Sequence, residues 1–524
     1  MDLTTTHHRR WWTLAVMNLC LLLTVVDHTI LNVALPTLAR DLGATGSQLQ
    51  WIVDSYVLVF AGLLLPAGAV GDRLGRRGAL YAGLVVFGLG SALGMFAETA
   101  TTLIVARAVM GAGAALIMPA TLSIITNVFT DPTERGRAIA LWATVGGAAM
   151  AVGPVLGGWL LEHFHWNSMF AIHIPAVVLT IVAVAAVVPT SRDPETPPLD
   201  IPGAVLSIAG LTALVWAIIE GGESGWTHAS TLTGFAVAAI SLSLFTAWER
   251  QTPNPMLDLA FFENRRFSAA SLTVMLGYFS MFGAMFLLTQ LLQFVLGYSA
   301  LDAGVRILPF AVMMAALAPV SARLVEAFGT KLVVVGGMTL LAAGLLWAAS
   351  LSDGSTYSDF LPTMMVMGGG VALTWAPATE AIMGALPPTK AGVGSAVNDT
   401  VREVGGALGV AVLGSLVAGR FASHIETSTT SLPEPARETA SDSLGGALRV
   451  AEQLDQPAAG QLTAAAREAF MSGFGLALTV GAAVTLIGAG LAARWLPARS
   501  VTATSAAAMP VEQPVEPLAA AVRD

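Results

Sequence analysis

Apolar segments of about twenty residues dominate the chain, and its charged residues fall in short stretches between them. A helix needs about twenty consecutive apolar residues to cross roughly 30 Å of hydrocarbon. Of the 524 residues, 55% are hydrophobic and only 11% are charged, whereas an average soluble protein carries about 25% charged residues. A membrane β-barrel would instead show alternating segments of about ten residues. The pattern therefore predicts a polytopic, all-α membrane protein.

Fourteen apolar segments predict fourteen transmembrane helices, so both termini are expected on the same side. The predicted spans are 13–35, 49–70, 79–97, 102–124, 137–160, 169–188, 203–220, 230–249, 268–290, 302–321, 332–351, 361–384, 393–418 and 470–494. On the side of the termini, the segments between spans hold seventeen Arg and Lys residues, whereas the short loops opposite hold only Arg40. The positive-inside rule therefore predicts cytoplasmic termini.

A charged, glycine-punctuated turn, GAVGDRLGRR, separates the second and third spans at residues 68–77. Its charged side chains are Asp72, Arg73, Arg76 and Arg77. Residues 322–331, ARLVEAFGTK, align with this turn, with Glu326 opposite Asp72. Membrane transporters commonly contain two such related halves, with the substrate site between them.

The duplication predicts two six-helix bundles, separated by two extra helices. The predicted organisation is a cytoplasmic N-terminus at 1–12, a first bundle at 13–188, two linking helices at 203–249, a second bundle at 268–494 and a disordered cytoplasmic tail at 495–524. The second bundle includes a long, partly helical extracytoplasmic loop at 419–469. The tail is assigned as disordered because it is rich in Ala, Pro and Val and poor in aromatic residues.

Two charged side chains are predicted to lie inside the bilayer. Asp27 falls about eight residues, or roughly 12 Å, inside the outer end of the first span. A carboxylate at that depth costs several kcal/mol unless it is paired or protonated. Asp27 is therefore a candidate for proton exchange, with Arg107 of the fourth span as its counter-ion. The alternative is a static ion pair that locks two helices.

Further acidic residues lie near the ends of spans. Asp54 is expected to line the outer mouth of the cavity and attract cationic substrates, or else to be a solvated carboxylate near a helix N-terminus. Glu380 has no obvious local partner, so proton or substrate coupling competes with a structural role. Asp399 and Arg402 lie one helical turn apart, and a structural ion pair is the favoured interpretation.

The fifth span, VGGAAMAVGPVLGGWL, combines a proline with several glycines. Pro154 removes a helix hydrogen bond and bends the span. Gly153 and its neighbouring glycines permit close helix contact and hinge freedom. The span is thus a candidate moving element, and ordinary small-residue packing is the alternative.

Together these segments resemble the 14-span drug:proton antiporter family of the major facilitator superfamily, over about residues 13–494. LTVVDHTILNVALP resembles the span-one motif of that family, GAVGDRLGRR the superfamily loop, LIVARAVMGAGAA the span-four motif and AVGPVLGG the motif typical of exporters. HWNSMFAIHIP is a weaker match, because Asn167 and His173 stand where Arg and Asn are usual.

The resemblance implies proton-coupled export of hydrophobic, often cationic drugs, biocides and antibiotics across a bacterial cytoplasmic membrane. It assigns Asp27 and Arg107 to the proton-coupled switch and Asp54 to drug recognition. The implied inner gate comprises Asp72, Arg73, Arg76 and Arg77. We expect a monomer in lipid that uses the proton gradient and needs no cofactor, metal or nucleic acid.

Proteins of other function classes would show different sequence features. A dedicated exporter of one endogenous metabolite or lipid would use the same machinery and stays open. The exporter-type fifth span disfavours a solute importer. A membrane enzyme would need clustered ligands or nucleophiles, yet the chain contains neither G-x-S-x-G nor H-E-x-x-H. His163 and His165 are too sparse for a metal site. A receptor that moves no solute would not need Asp27.

Overall fold

A computed structural model of the chain describes residues 3–190, 200–385, 391–496 and 498. Every regular element in these ranges is helical. The α-helices are α1 Leu3–Asp41, α2 Gly46–Leu74, α3 Arg76–Met95, α4 Ala100–Val128, α5 Pro132–His163, α6 Ser168–Ala171, α7 His173–Val187, α8 Ile201–Glu223, α9 Ala229–Gln251, α10 Arg265–Gln290, α11 Ala300–Phe328, α12 Thr330–Ala349, α13 Tyr357–Met383, α14 Ala391–Thr429, α15 Glu434–Asp442, α16 Leu444–Ala451 and α17 Ala458–Trp495. A π-helical turn, Leu291–Val295, extends α10.

Local sequence fixes where several helices begin. The side chains of Thr45, Thr99, Asp131, Asp200 and Ser299 each accept a hydrogen bond from a backbone amide in the first turn of the helix that follows. These bonds satisfy amide groups that have no carbonyl partner within the helix. Short polar segments between apolar runs therefore become helix boundaries.

In the described part of the chain, thirteen helical segments are long and apolar enough to cross a membrane. They correspond to thirteen of the fourteen predicted spans, with α6 and α7 together forming one of them. The remaining predicted span, 361–384, coincides with α13, which has 27 residues and is about 40 Å long. Helix α13 contains two prolines and a run of three glycines.

Consecutive long helices run in alternate directions, so the bundle has two faces. We call the face where α2 ends and α3 begins the proximal face, and the opposite one the distal face. At the proximal face, Gly75 alone separates α2 from α3, and Gly329 alone separates α11 from α12. Their φ angles are 107° and 82°, a region that glycine enters without steric cost. The two aligned turns therefore have the same backbone conformation, in which one glycine with a positive φ angle links two helices.

The helices pack as two bundles joined by a hairpin. The first bundle contains α1 to α7, and the second contains α10 to α14 and α17. Helices α8 and α9 pair with each other, and α8 packs on both α2 and α14. Asp200, before α8, accepts a hydrogen bond from the Trp248 indole of α9 at 2.7 Å, which ties the two ends of the hairpin together.

Close contacts between the bundles lie in their distal halves. A Cβ atom at Gly304 of α11 would stand 2.3 Å from the Pro154 carbonyl oxygen of α5, and one at Gly158 would stand 2.4 Å from Cα of Leu301. Glycine thus lets the two backbones touch. Gln293 also donates a hydrogen bond across the interface to the Val33 carbonyl at 2.7 Å. The bundles therefore close on the distal side.

The predicted long loop, 419–469, is shorter than expected because both flanking spans extend into it. Helix α14 continues to Thr429, α17 already begins at Ala458, and α15 and α16 lie between them. The Asp442 carboxylate at the end of α15 accepts a hydrogen bond from the Gly46 amide at 3.2 Å. This segment thus covers the distal end of α2. The predicted tail, 495–524, lies almost entirely outside the described residues.

Candidate functional site

The predicted partners Asp27 and Arg107 form a buried ion pair between α1 and α4. Arg107 Nη1 lies 2.6 Å from Asp27 Oδ2, and the two side chains are only 2% and 1% exposed. Arg107 Nε also donates to the Ile52 carbonyl of α2 at 3.3 Å. Its guanidinium lies 4.3 Å from the ring centre of Tyr56, also on α2. One arginine therefore joins three helices of the first bundle.

His173, the first residue of α7, is a third titratable group in this site. Its Nδ1 lies 4.0 Å from Asp27 Oδ1, and its side chain is 3% exposed. The ring packs edge-on against Phe87, and neither ring nitrogen has a hydrogen-bond partner in the described structure. In the sequence, His173 stands out only as a departure from a family motif. The site thus contains a carboxylate, a guanidinium and an imidazole.

A second arginine site lies in the other bundle. Arg402 Nη1 of α14 lies 3.4 Å from Asp399 Oδ1, which confirms the predicted pairing of these residues. The Arg402 guanidinium lies 4.7 Å from the ring centre of Tyr278 and 5.7 Å from that of Trp375. These two rings stack 4.1 Å apart and are inclined by 10°. The Arg402 and Asp399 side chains are 35% and 39% exposed.

A row of aromatic side chains connects the two arginine sites. From Trp375 it passes through Tyr278, Phe282 and His28 to Tyr56, with successive ring centres 4.1, 5.7, 5.2 and 5.6 Å apart. The step from Phe282 to His28 crosses from the second bundle to the first. The guanidinium groups of Arg402 and Arg107 face opposite ends of this row.

An apolar cavity lies between the bundles, bordered by α1 and α5 on one side and by α10 and α11 on the other. Its lining residues are Thr29, Asn32, Met150, Ala151, Pro154, Met281, Phe282, Met285, Gly304, Ile307, Leu308, Phe310, Ala311 and Met314. Four methionines suit guests of irregular shape, because the thioether chain is flexible and polarizable. Phe282 belongs both to this lining and to the aromatic row.

The structure corrects the predicted placement of Asp54. Its residue is 0% exposed, so it neither lines an open cavity mouth nor acts as a solvated helix-end carboxylate. Neither of its carboxylate oxygens has a hydrogen-bond partner in the described structure. The prediction failed because α2 packs against α4, α14 and α8, and Asp54 is enclosed in the assembled protein. A role for it in substrate recognition stays a prediction.

Two of the predicted gate residues make contacts within the first bundle. Arg76 donates to the Ser123 carbonyl of α4 at 3.4 Å, and Arg77 donates to the Ala185 carbonyl of α7 at 3.1 Å. Glu326, in the second copy of the turn, is exposed. The side chains of Asp72 and Arg73 lie outside the described part of the structure. The gating role of these residues stays a prediction.

Glu380 is exposed near the proximal end of α13, so it is not part of the buried site around Asp27. Gly153 packs against α1, because a Cβ atom there would lie 1.9 Å from Thr29 Oγ1. Pro154 borders the central cavity. The structure thus shows the close helix contact predicted for Gly153, whereas coupling by Glu380 and gating by Gly153 and Pro154 stay predictions. Within the described residues, no three His, Cys, Asp or Glu side chains are grouped to hold a metal ion.

Two helical bundles that share an apolar cavity and close on one face define a membrane transporter, not an enzyme. The sequence pattern of the Major Facilitator Superfamily matches residues 17–410, and the chain belongs to this superfamily.

Two relatives show which members of the superfamily have sequences similar to this chain. The chain is 37% identical to the multidrug efflux pump LfrA of Mycolicibacterium smegmatis, over 93% of this chain and 96% of the relative. It is 36% identical to the methyl viologen resistance protein SmvA of Salmonella typhimurium, over 91% and 97% of the two chains.

Solved structures agree with the fold. A bacterial homolog of the human lysosomal transporter Spinster, in an inward-facing and unoccupied conformation, aligns with a TM-score of 0.64 at 16% identity, over 94% of this chain and 99% of that one. The xylose transporter XylE from E. coli, in its inward open conformation, aligns with a TM-score of 0.57 at 14% identity, over 94% and 98% of the chains.

Proposed function

We propose that this protein is a drug efflux antiporter, which exports hydrophobic cationic drugs and antibiotics across the bacterial cytoplasmic membrane in exchange for protons. The buried Asp27–Arg107 pair supports the exchange most directly, because an ion pair this dry responds strongly to one proton. The functions of the two relatives, multidrug efflux and methyl viologen resistance, support the substrate class. We further propose a lipid-embedded monomer that needs no cofactor.

Under this proposal, the proximal face is cytoplasmic and the conformation described here faces inward. A drug enters the cavity while Asp27 is ionised and paired with Arg107. After the bundles rock to expose the distal side, a proton from outside neutralises Asp27 and the pair loses its charge attraction. Arg107 then keeps the Ile52 carbonyl and the Tyr56 ring as partners. Because Arg107 is then bound less tightly to Asp27 of α1, the return to the inward-facing state is favoured.

The two proximal turns serve as the inner gate in this scheme. When the bundles close on the proximal side, Asp72, Arg73, Arg76 and Arg77 approach the second copy of the turn, which carries Glu326. Arg76 and Arg77 already hold α4 and α7. The same arginines therefore anchor the first bundle when the gate is open and are available to bridge the bundles when it shuts.

Inverted membrane vesicles test the exchange. With a preset acidic interior, the wild-type protein should take up ethidium and dissipate the pH gradient as it does so. Asp27→Asn should abolish both signals. Ethidium uptake by Asp27→Asn at the wild-type rate, without proton movement, would refute the coupling role of Asp27.

Cysteine labelling tests the orientation. Cys20 is buried, so Cys20→Ser gives a cysteine-free background. Gly354→Cys places an exposed thiol on the distal face, and Asn254→Cys places one on the proximal face. In intact cells, a membrane-impermeant maleimide should label the first variant and leave the second unlabelled until the cells are permeabilised. The reverse pattern would invert the proposed topology.

A dedicated exporter of one endogenous metabolite or lipid is the competing function. A panel of cationic, neutral and zwitterionic compounds separates the two. Export of several chemically unrelated cations supports multidrug efflux, whereas transport restricted to one compound of the panel would favour the dedicated pump.

A further inference from the structure

We infer that Tyr278 and Trp375, together with Asp399 and Glu403, form a subsite for the charged group of planar organic cations, and that Arg402 occupies this subsite when no drug is bound. The inference deepens the proposed export of cationic drugs by assigning residues to cation recognition.

The first support is the position of the Arg402 guanidinium. It lies within 6 Å of the centres of both stacked rings, the distance at which aromatic faces attract cations. Trp and Tyr faces are also the surfaces on which proteins recognise quaternary ammonium ligands. The guanidinium of Arg402 is therefore a cation held by its own side chain on an aromatic surface that could equally bind a free organic cation.

The second support is the position of two carboxyl groups. Asp399 Oδ1 lies 3.4 Å from Arg402 Nη1, and Glu403 is four residues beyond Asp399 on α14, so both carboxyl groups point to one side of the helix. A guest cation that displaces the guanidinium therefore meets the Asp399 carboxylate in its place, with Glu403 one helical turn away.

The third support is access. About a third of the Arg402 side chain is exposed, and its Nη1 lies 3.4 Å from Asp399 Oδ1. Exposed ion pairs contribute little to stability, so displacement of the arginine costs little. Tyr278 stacks at 5.7 Å on Phe282, which lines the central cavity. A guest in that cavity thus has a continuous aromatic surface leading to the subsite.

Arg306 provides a matched control elsewhere in the same bundle. Its guanidinium lies 3.9 Å from the ring centre of Tyr298 and 5.5 Å from that of Tyr357, and it pairs with Asp302. This cluster has the same chemistry and lies near the distal end of α11, but Arg306, Tyr298 and Tyr357 are not among the residues that line the cavity. It should therefore make no contribution to drug binding.

The test measures binding of two fluorescent probes to the purified full-length protein: ethidium, a planar cation, and N-phenylnaphthylamine, which is neutral. Arg402→Gln removes the tethered cation and should tighten ethidium binding at least threefold. Trp375→Leu removes part of the aromatic face and should weaken it about tenfold. Neither change should shift the affinity for the neutral probe more than twofold. Arg306→Gln should leave both affinities unchanged.

Three results would overturn the inference: unchanged ethidium affinity in Arg402→Gln, equal losses for both probes, or unchanged ethidium affinity in Trp375→Leu. Arg402→Lys keeps the charge and should retain near wild-type affinity, which gives a second measurement if Arg402→Gln does not fold. The subsite and the proposed function fail separately. Wild-type export of ethidium with no effect of these substitutions refutes the subsite alone, whereas selective ethidium binding without export refutes the pump alone.

Discussion

Arg107 in the first bundle and Arg402 in the second each lie against a carboxylate and an aromatic ring, but the two arginines differ in their access to water. Arg107 is 2% exposed and lies 2.6 Å from Asp27. Arg402 is 35% exposed and lies 3.4 Å from Asp399. The same three chemical groups therefore meet in a dry site around Arg107 and in a wet site around Arg402.

This difference sets what each site can do. Removing one partner of a buried pair costs about 3–5 kcal/mol, because the other charge stays unpaired in a low dielectric. An exposed pair contributes about 0–1 kcal/mol. The dry site is suited to couple one proton to a rearrangement of helices, and the wet site is suited to exchange one cation for another.

The largest expected effect comes from breaking the dry pair. Asp27→Asn strands the Arg107 guanidinium and should destabilise the protein by about 3–5 kcal/mol, with proton-coupled ethidium uptake reduced to background. Thermal unfolding and vesicle flux measure the two effects. Asp27→Asn combined with Arg107→Met should recover most of the stability but none of the coupled flux. Coupled flux in the double variant would contradict the assigned switch.

The second largest difference between the two sites is expected when each arginine is replaced by lysine. Lysine lacks the planar fork with which Arg107 reaches both Asp27 and the Ile52 carbonyl. Arg107→Lys should therefore lower the initial rate of ethidium uptake about tenfold or more, as one lost charge-assisted hydrogen bond predicts. Arg402→Lys should change that rate less than threefold. Equal losses in both variants would erase the distinction between the sites.

An intermediate effect is expected at His173. His173→Gln keeps a polar side chain near Asp27 but removes the group that can carry a positive charge there. We expect coupled flux to fall about threefold to tenfold, since a neighbouring charge at 4 Å changes the energy of a buried carboxylate substantially. His163→Gln is the control, because His163 is exposed at the distal end of α5. Equal flux in both variants would remove His173 from the coupling site.

The smallest effect is expected from breaking the wet pair. Asp399→Asn should change the free energy of unfolding by less than about 1 kcal/mol, while the affinity for ethidium falls and that for N-phenylnaphthylamine stays constant. Thermal unfolding and probe titration measure these changes on one preparation. A loss of stability as large as that of Asp27→Asn would show that the two pairs are energetically alike.

The dry site was accessible from sequence, whereas most of the wet site was not. Asp27 and Arg107 each interrupt a long apolar run, and the cost of a lone charge in hydrocarbon forces such residues to find partners. The glycines at 75 and 329 were likewise visible, because the same turn occurs twice in the sequence. Local composition and spacing carry these signals.

Contacts between distant helices leave no such local trace. Tyr278 and Trp375 lie on different helices, and nothing in their neighbouring residues indicates that their rings stack. His173 joins Asp27 only through the packing of α7 against α1. The burial of Asp54 depends on the helices that pack around α2 in the assembled protein, which its neighbouring residues do not indicate. Tertiary packing decides these three cases.

The placement of α8 also makes the two sides of the molecule unequal toward the lipid. Along the contact between α2 and α14, α8 forms an outer wall: its Ile208 packs against Gly62, and its Ile218 carbonyl accepts a hydrogen bond from Ser415. Along the contact between α5 and α11, apolar side chains such as Val152 and Val305 face outward. A lipophilic molecule dissolved in the bilayer therefore meets the wall of α8 on one flank and the boundary between α5 and α11 directly on the other.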